Sequence, residues 1–438
     1  MSVNARQRRW LRRLVALLVI AAVATAGGYT LYVGAVGSDA LAHPTPAAIC
    51  ATPQQQFGWR YEAINYDIAD DAALARRNPD PTKCPDQGSG AGDEVVTTDG
   101  VSIAGWYIPA ADGTGPSGPT IVLLHGWNAN KSEVLRYGLP LHERFNLVAL
   151  DLRGGGRSGR TDVTFGPRER FDVRAIVDWL EREKGPTTIG LVGNSMGGAV
   201  AAAAAADDPR IDALLLDSTH AKAVDVFARR LEVEEGHPPF PGWWAMAVGM
   251  QLRTGEDIAA TDPIATIPRL GRRPVLLIHG TDDPVDRPAE SAERNVAAAQ
   301  AAGVPATLRY CEGGRHGNLI DHCPDEWGRW ANDFFADALA ADFGGVGSPP
   351  RSPTVPSDGP ARRESPVVPL DVRERESAQA ARLSAGGSGL LAAGGRTCKF
   401  DASGTTMTAC VGRLWTSESG ERWTRLDVPE LAAARESS

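Results

Sequence analysis

The sequence predicts an α/β fold: a mostly parallel sheet with helices on both faces and a small helical cap. Three observations predict it. Short apolar runs recur between Pro119 and Tyr310 and alternate with helical patterns such as Phe171 to Glu183, the arrangement that feeds a parallel sheet. The runs are apolar throughout, as strands covered on both faces must be. Several of them empty into polar, glycine-rich turns, and ligand sites in open α/β sheets lie at such strand ends.

Taken in order along the chain, the amino terminus comes first. Residues 1–13 carry Arg6, Arg8, Arg9, Arg12 and Arg13, and no charged side chain occurs from Leu14 to Ser38. A helix from Leu14 to Val36 would extend about 34 Å, enough to cross a bilayer with some tilt. The arginines before it and Asp39 after it predict a cytoplasmic amino terminus and an extracytoplasmic remainder. Ala40-Leu41-Ala42 offers a signal-peptidase site, and cleavage there would give a secreted protein. Cleavable apolar cores are usually only about 7–15 residues long, so residues 1–42 are expected to form a basic segment and a single-pass signal anchor in the cell membrane.

Residues 43–93 form a polar leader, bracketed by Cys50 and Cys84, in which nothing carries chemistry. The core domain is expected over 94–343. Within it, the stretch between Asp217 and Pro274 (about 218–273) reads as an insertion that caps the domain. Its most apolar part, Phe240-Pro241-Gly242-Trp243-Trp244, is expected either to line a pocket through Trp243 and Trp244 or to pack as ordinary helix. A tryptophan pair there also suits a membrane-facing surface near the anchor. Residues 344–395 are rich in Pro, Gly, Ser, Ala and Arg, which predicts a disordered linker. A small β-hairpin appendage is expected over 396–438. Its segment Thr416 to Trp423 resembles a degenerate Asp-box hairpin of sialidase-type β-propellers, although a single hairpin cannot make a propeller.

The chemistry centres on Gly193-Asn194-Ser195-Met196-Gly197-Gly198, entered from Thr188-Ile189-Gly190-Leu191-Val192. This reads as a buried strand, a sharp turn carrying a serine, and an alanine-rich helix. A serine hydroxyl becomes a useful nucleophile when a turn exposes it and a base takes its proton. Glycines on both sides permit that turn and close strand–helix packing. The same pattern also suits a serine that merely caps a helix, so the rest of the chain decides.

Candidate partners for Ser195 occur downstream in the order acid, then histidine. The run Pro274 to Ile278 empties into His279-Gly280-Thr281-Asp282-Asp283-Pro284-Val285, and Thr307 to Tyr310 leads into Gly313-Gly314-Arg315-His316-Gly317. His316 is the expected base, and Asp283 is favoured over Asp282 to orient it. The rival His322 lies past the glycine loop and suits a surface or capping role. Pro119 to Leu124 runs into His125-Gly126-Trp127. The amides of Trp127 and Met196 are therefore the expected donors to a tetrahedral oxyanion. His125 and His279, each before a glycine at a strand end, read as hydrogen-bonding support. Gly154-Gly155-Gly156 lacks the helix-opening pattern of a dinucleotide fingerprint and reads as a tight loop near the pocket. No His/Cys/Asp cluster has zinc spacing and no phosphate loop occurs, so neither metal nor cofactor is expected.

With these residues in place the chain resembles the α/β-hydrolase superfamily, in particular bacterial extracytoplasmic serine hydrolases of the esterase, lipase and serine-aminopeptidase type. The resemblance spans about Ala91 to Ala340. It includes Asp99 to Pro109, similar to the family's opening hairpin, and Asp151 to Ser158, the loop after Leu147 to Leu150. Asn194 departs from it, since many relatives carry His there. The resemblance implies an α/β-hydrolase fold and serine-hydrolase chemistry but says little of the substrate; joined to the anchor, the reading is a membrane-anchored serine hydrolase acting on a small-molecule carboxylic ester. Peptide hydrolysis, acyl transfer to an alcohol, and a non-catalytic surface interaction protein are the alternatives.

Six cysteines, Cys50, Cys84, Cys311, Cys323, Cys398 and Cys410, suggest disulfides in an exported domain. Nearest-neighbour pairing is the simplest of the many possible schemes. In it, Cys311–Cys323 would staple the loop that bears His316, and Cys398–Cys410 would pin the appendage. The net charge of −9, with no basic patch after the anchor, argues against nucleic acid as a partner. Nothing in the sequence fixes the oligomeric state.

Overall fold

A computed structural model describes residues 5–44, 51–67, 71, 95–233 and 235–340. It describes the backbone alone of strands within 382–426. The chain divides into two units, 1–346 and 347–438.

Eight strands of the first unit form one sheet, in the order β1-β2-β4-β3-β5-β6-β7-β8. They are β1 Glu62–Ile64, β2 Gly105–Ile108, β3 Thr120–Leu124, β4 Asn146–Leu150, β5 Ile189–Asn194, β6 Ala213–Asp217, β7 Val275–Gly280 and β8 Ala306–Cys311. From β4 across to β8 neighbouring strands run parallel, whereas β1 and β2 add antiparallel at one edge. Successive side chains of a strand face opposite sides. Val122, Leu124, Leu214 and Leu216 therefore enter one apolar core, while Ile121, Leu123, Leu215 and Ile278 enter the other. Burial on both faces is why these segments are apolar without alternation. From β3 the chain goes to β4 on one side and then crosses back to β5 on the other, which opens a crevice at the carboxyl ends of the strands.

The first helix, α1, spans Ala5–Tyr32 and continues as a π-helical stretch, Val33–Gly37, and a last helical turn, Ser38–Ala42. It is exposed as far as Gly28. From Val33 onward it is partly buried against the cap. The sheet is flanked by α2 Lys131–Gly138, α3 Glu169–Glu183, α4 Met196–Asp207, then the cap helices α5 Ala223–Val233 and α6 Pro239–Thr254, and finally α7 Ala292–Ala301 and α8 Pro324–Ala338. Alanine and glycine dominate α4, which is buried from Met196 to Ala205, as a helix apolar all round must be. Its small side chains let it lie close to the sheet. On the other face α8 buries Trp327, Ala331, Phe335 and Ala338, one stripe at helical spacing.

The leader packs on the α/β domain. Thr52 caps the helix Pro53–Phe57 through a reciprocal bond with Gln55, and β1 then pairs along β2. The sheet thus begins upstream of residue 94, the boundary read from composition. Tyr61, Tyr66 and the Trp106 indole all donate to Asp71, at 2.9, 3.1 and 3.1 Å. Cys50 and Cys84 lie outside the described residues.

The second unit contains a four-stranded antiparallel sheet in the order β12-β11-β10-β9: β9 Arg382–Gly386, β10 Gly389–Phe400, β11 Met407–Ser417 and β12 Thr424–Leu426. Strand β9 and part of β10 fall within 344–395, the stretch whose composition predicts a linker. The register sets Cys398 opposite Cys410. Residues 418–423, most of the Asp-box-like segment, lie outside the described residues.

Candidate active site

Ser195 occupies the turn between β5 and α4 with φ +52° and ψ −116°, a conformation that side-chain-bearing residues rarely adopt. Two features hold it there. Its amide donates to the Asp217 carbonyl at 2.8 Å, tying the turn to β6. Glycines allow α4 to start against its neighbours: a β-carbon on Gly197 would collide with the Leu124 carbonyl, and one on Gly198 with the Thr219 hydroxyl.

The Ser195 hydroxyl lies 2.9 Å from His316 Nε2. His316 Nδ1 donates to Asp283 Oδ2 at 2.7 Å. The other carboxylate oxygen of Asp283 accepts the amides of Val285 and Asp286, at 2.9 and 2.8 Å. Sequence order placed these three groups at separate strand ends, and the structure brings them into one hydrogen-bonded line. Burial on its own would raise the Asp283 carboxyl, but the His316 hydrogen bond and charge outweigh it and hold Asp283 below the usual range. For His316, burial opposes the imidazolium; the Asp283 hydrogen bond and the charges of Asp283, Asp286 and Asp217 overcome it and raise the imidazole above 6.5. Asp282 is exposed. His322 points its Nε2 to the Glu312 carbonyl at 3.0 Å, away from the serine.

Gly126 abuts the Ser195 side chain, which sets Trp127 beside it. Among the described residues neither the Trp127 nor the Met196 amide donates a hydrogen bond to a protein acceptor, as donors kept for an oxyanion should be. The Trp127 indole donates to the Leu41 carbonyl at 3.0 Å. His125 Nδ1 donates to the Gly126 carbonyl at 2.8 Å, and its Nε2 accepts the Leu152 amide at 2.9 Å, fixing one tautomer. Burial lowers both His125 and His279. His279 donates to the Asp286 carbonyl, in the turn that carries Asp283. Beside Met196 lies a cleft lined by Pro44, His125, Gly126, Gly154, Gly155 and Val163.

The two tryptophans of the cap differ in their surroundings. Trp243 packs against the apolar core and Trp244 is 49% exposed. Neither belongs to the lining of that cleft. The cap approaches the site through α5: Arg229 Nε donates to the Pro284 carbonyl at 3.1 Å, and the Arg230 guanidinium sits 4.6 Å from the Trp127 ring centre.

No sequence signal marks the group behind the serine. Asp217, fully buried at the end of β6, accepts from Asn194 Nδ2, Ser218 Oγ and the Trp327 indole, at 3.0, 2.9 and 2.8 Å. Asn194 thus has a structural partner of its own. Ser218 Oγ also accepts the Gly317 amide at 3.4 Å, and Arg136 donates to the Gly317 carbonyl at 2.7 Å. The loop carrying His316 is further closed by a disulfide between Cys311, the last residue of β8, and Cys323. Among the described residues no cluster of His, Cys, Asp and Glu could hold a metal ion.

A family model for the alpha/beta hydrolase fold matches residues 119–249. The chain is 32% identical over 218 residues to the uncharacterized protein Rv2307c of Mycobacterium tuberculosis, covering 48% of this chain and 68% of that one. It is 29% identical over 221 residues to the uncharacterized protein YqkD of Bacillus subtilis, covering 50% and 70%. Among solved structures, an esterase of Pyrococcus furiosus superposes with a TM-score of 0.49 at 20% identity, covering 68% of this chain and 98% of the other.

Proposed function

Since the chain belongs to the α/β-hydrolase superfamily, we propose that it is a membrane-anchored serine hydrolase that cleaves carboxylic esters through an acyl-enzyme on Ser195. The observation that carries this reading is the unbroken line from Ser195 Oγ to His316 Nε2, and from His316 Nδ1 to Asp283 Oδ2.

In this mechanism His316 Nε2 takes the Ser195 proton as Oγ attacks the ester carbonyl. Asp283 keeps Nδ1 protonated, so the lone pair faces the serine, and it stabilises the imidazolium that forms. The amides of Trp127 and Met196 receive the oxyanion. Collapse of the tetrahedral intermediate passes the proton from His316 to the leaving alkoxide. Water then repeats the sequence on the acyl-enzyme and frees the acid and Ser195.

The anchor reading rests on the amino-terminal helix, a candidate span over Trp10–Ala42 whose uncharged run Leu14 to Ser38 follows arginines that favour the cytoplasmic side. The Cys311–Cys323 bridge supports an oxidising, extracytoplasmic setting for the domain. The reading is tested by labelling the purified full chain with a fluorophosphonate. Labelling should occur and vanish in Ser195→Ala, and p-nitrophenyl esters should be cleaved faster than aminoacyl amides. Folded wild-type protein that takes no label would refute it.

A further inference from the structure

The anchor and the cap are packed as one body. Gly34 lies against the Ala245 carbonyl, Gly37 against Met246, and Gly249 against the Gly34 carbonyl and Ser38. The Tyr29 hydroxyl donates to the Pro238 carbonyl at 3.4 Å near the start of α6, and Arg253 pairs with Asp39 at 2.9 Å near its end. The two helices therefore run side by side in the same direction, and the amino-terminal end of α6 stands level with Tyr29.

That level has a meaning for the bilayer. Exposed Trp10 precedes Tyr29 and Tyr32 by 19 and 22 positions, which is about 28–33 Å along a helix. The hydrocarbon core of a bilayer is about 30 Å thick, and Trp and Tyr collect at both of its boundaries. With Trp10 and the arginines at the inner boundary, Tyr29 and Tyr32 mark the outer one. Phe240 and Trp244, 67% and 49% exposed at the near end of α6, sit at that same boundary. A chain of packed contacts then links this end of α6 to the site. Leu231 of α5 packs on Gly242 of α6, and Arg229 and Arg230 of α5 reach Pro284 and Trp127. Trp127 in turn touches Leu41, nine positions past Tyr32. That is about 14 Å, comparable to the half-thickness of the hydrocarbon and hence to the reach of one acyl chain.

We infer that the near end of α6 is immersed in the extracytoplasmic leaflet through Phe240 and Trp244, and that the ester brought to Ser195 is an acyl ester of a membrane lipid. This rests on the reading of the site as an anchored ester hydrolase. The step consumes one lipid and one water. The acyl C–O bond breaks as the acyl–Oγ bond forms, His316 delivers the serine proton to the lipid's alcohol oxygen, and water releases the fatty acid.

The test reconstitutes the full chain into phosphatidylglycerol vesicles and measures released fatty acid, with p-nitrophenyl butyrate hydrolysis followed in parallel. Wild type should cleave both. A double variant, Phe240→Ser with Trp244→Ser, should lose vesicle hydrolysis at least tenfold and keep p-nitrophenyl butyrate hydrolysis within twofold. Leu252→Ser serves as the control: it is 83% exposed on the same helix but about 12 Å farther from the bilayer by helical rise, and it should leave both rates unchanged. Butyrate cleaved with vesicle lipid untouched, or a double variant that matches wild type on vesicles, overturns this inference and leaves the ester reading standing. Failure on both substrates sinks the ester reading itself. Should the double variant lose both rates through misfolding, brominated lipids decide: they should quench wild type more than Trp244→Phe, and equal quenching overturns the proposal.

Discussion

His316 sets the working pH of the proposed chemistry. Only the neutral imidazole can take the Ser195 proton, and the Asp283 carboxylate raises the imidazole above 6.5. Protonation therefore switches the base off: kcat/KM for a soluble ester should fall about tenfold per pH unit on the acid side, with its midpoint above 6.5. Asp283 stays ionised throughout that range because its own value is depressed. A pH–rate profile with its acid limb below 6.5 would contradict this coupling. The three titrating or reacting side chains were legible in the sequence because each sits at a strand end marked by its own turn. Asp283 was already favoured over Asp282 in the sequence; in the structure it is buried and accepts the amides of Val285 and Asp286, while its neighbour is exposed. Asp217 was not legible. It ends an apolar strand like many others, and its partners Asn194 and Trp327 are remote in sequence.

Among the elements, the β8–α8 connection is tied down at several points. It holds His316 through the Arg136 and Ser218 contacts and through the disulfide. Replacing both Cys311 and Cys323 with serine should cost about 3 kcal/mol, the chain-entropy value for a loop of this size, measurable by urea denaturation. It should also lower kcat more than KM, because the base loses its fixed position relative to the serine. Unchanged kcat would mean that the hydrogen bonds suffice. The inner parallel strands were readable because burial on both faces leaves them mostly apolar, whereas the edge strand β8 is exposed or half-buried at all but its last residue. The leader strand β1 was hidden by the opposite circumstance: as an edge strand only three residues long, it shows no apolar run. Packing of α1 on α6 was also invisible, since glycines at 34, 37 and 249 have meaning only once the two helices are adjacent.

Across the whole molecule, the first unit joins an apolar helix, a cap and an α/β domain into one packed body. Anchorage predicts that the full chain stays with the membrane fraction after an alkaline carbonate wash. Protease added to intact cells stripped of their outer layers should reach the catalytic domain and spare the arginine-rich end. Recovery of the domain in the medium, shortened near Ala42, would identify a cleaved signal in place of an anchor. The second unit, with its own antiparallel sheet, lies outside residues 119–249, the region matched by the family model.

The pairing of β1 with β2 has a practical consequence for anyone trimming the chain. A version started at residue 94 would strip β2 of its neighbour and leave its peptide groups open to another copy, an invitation to aggregate. It would also take away the Asp71 carboxylate that accepts the Trp106 indole. A fragment begun just ahead of Thr52 keeps this pairing and should aggregate less on size-exclusion chromatography than one begun at residue 94.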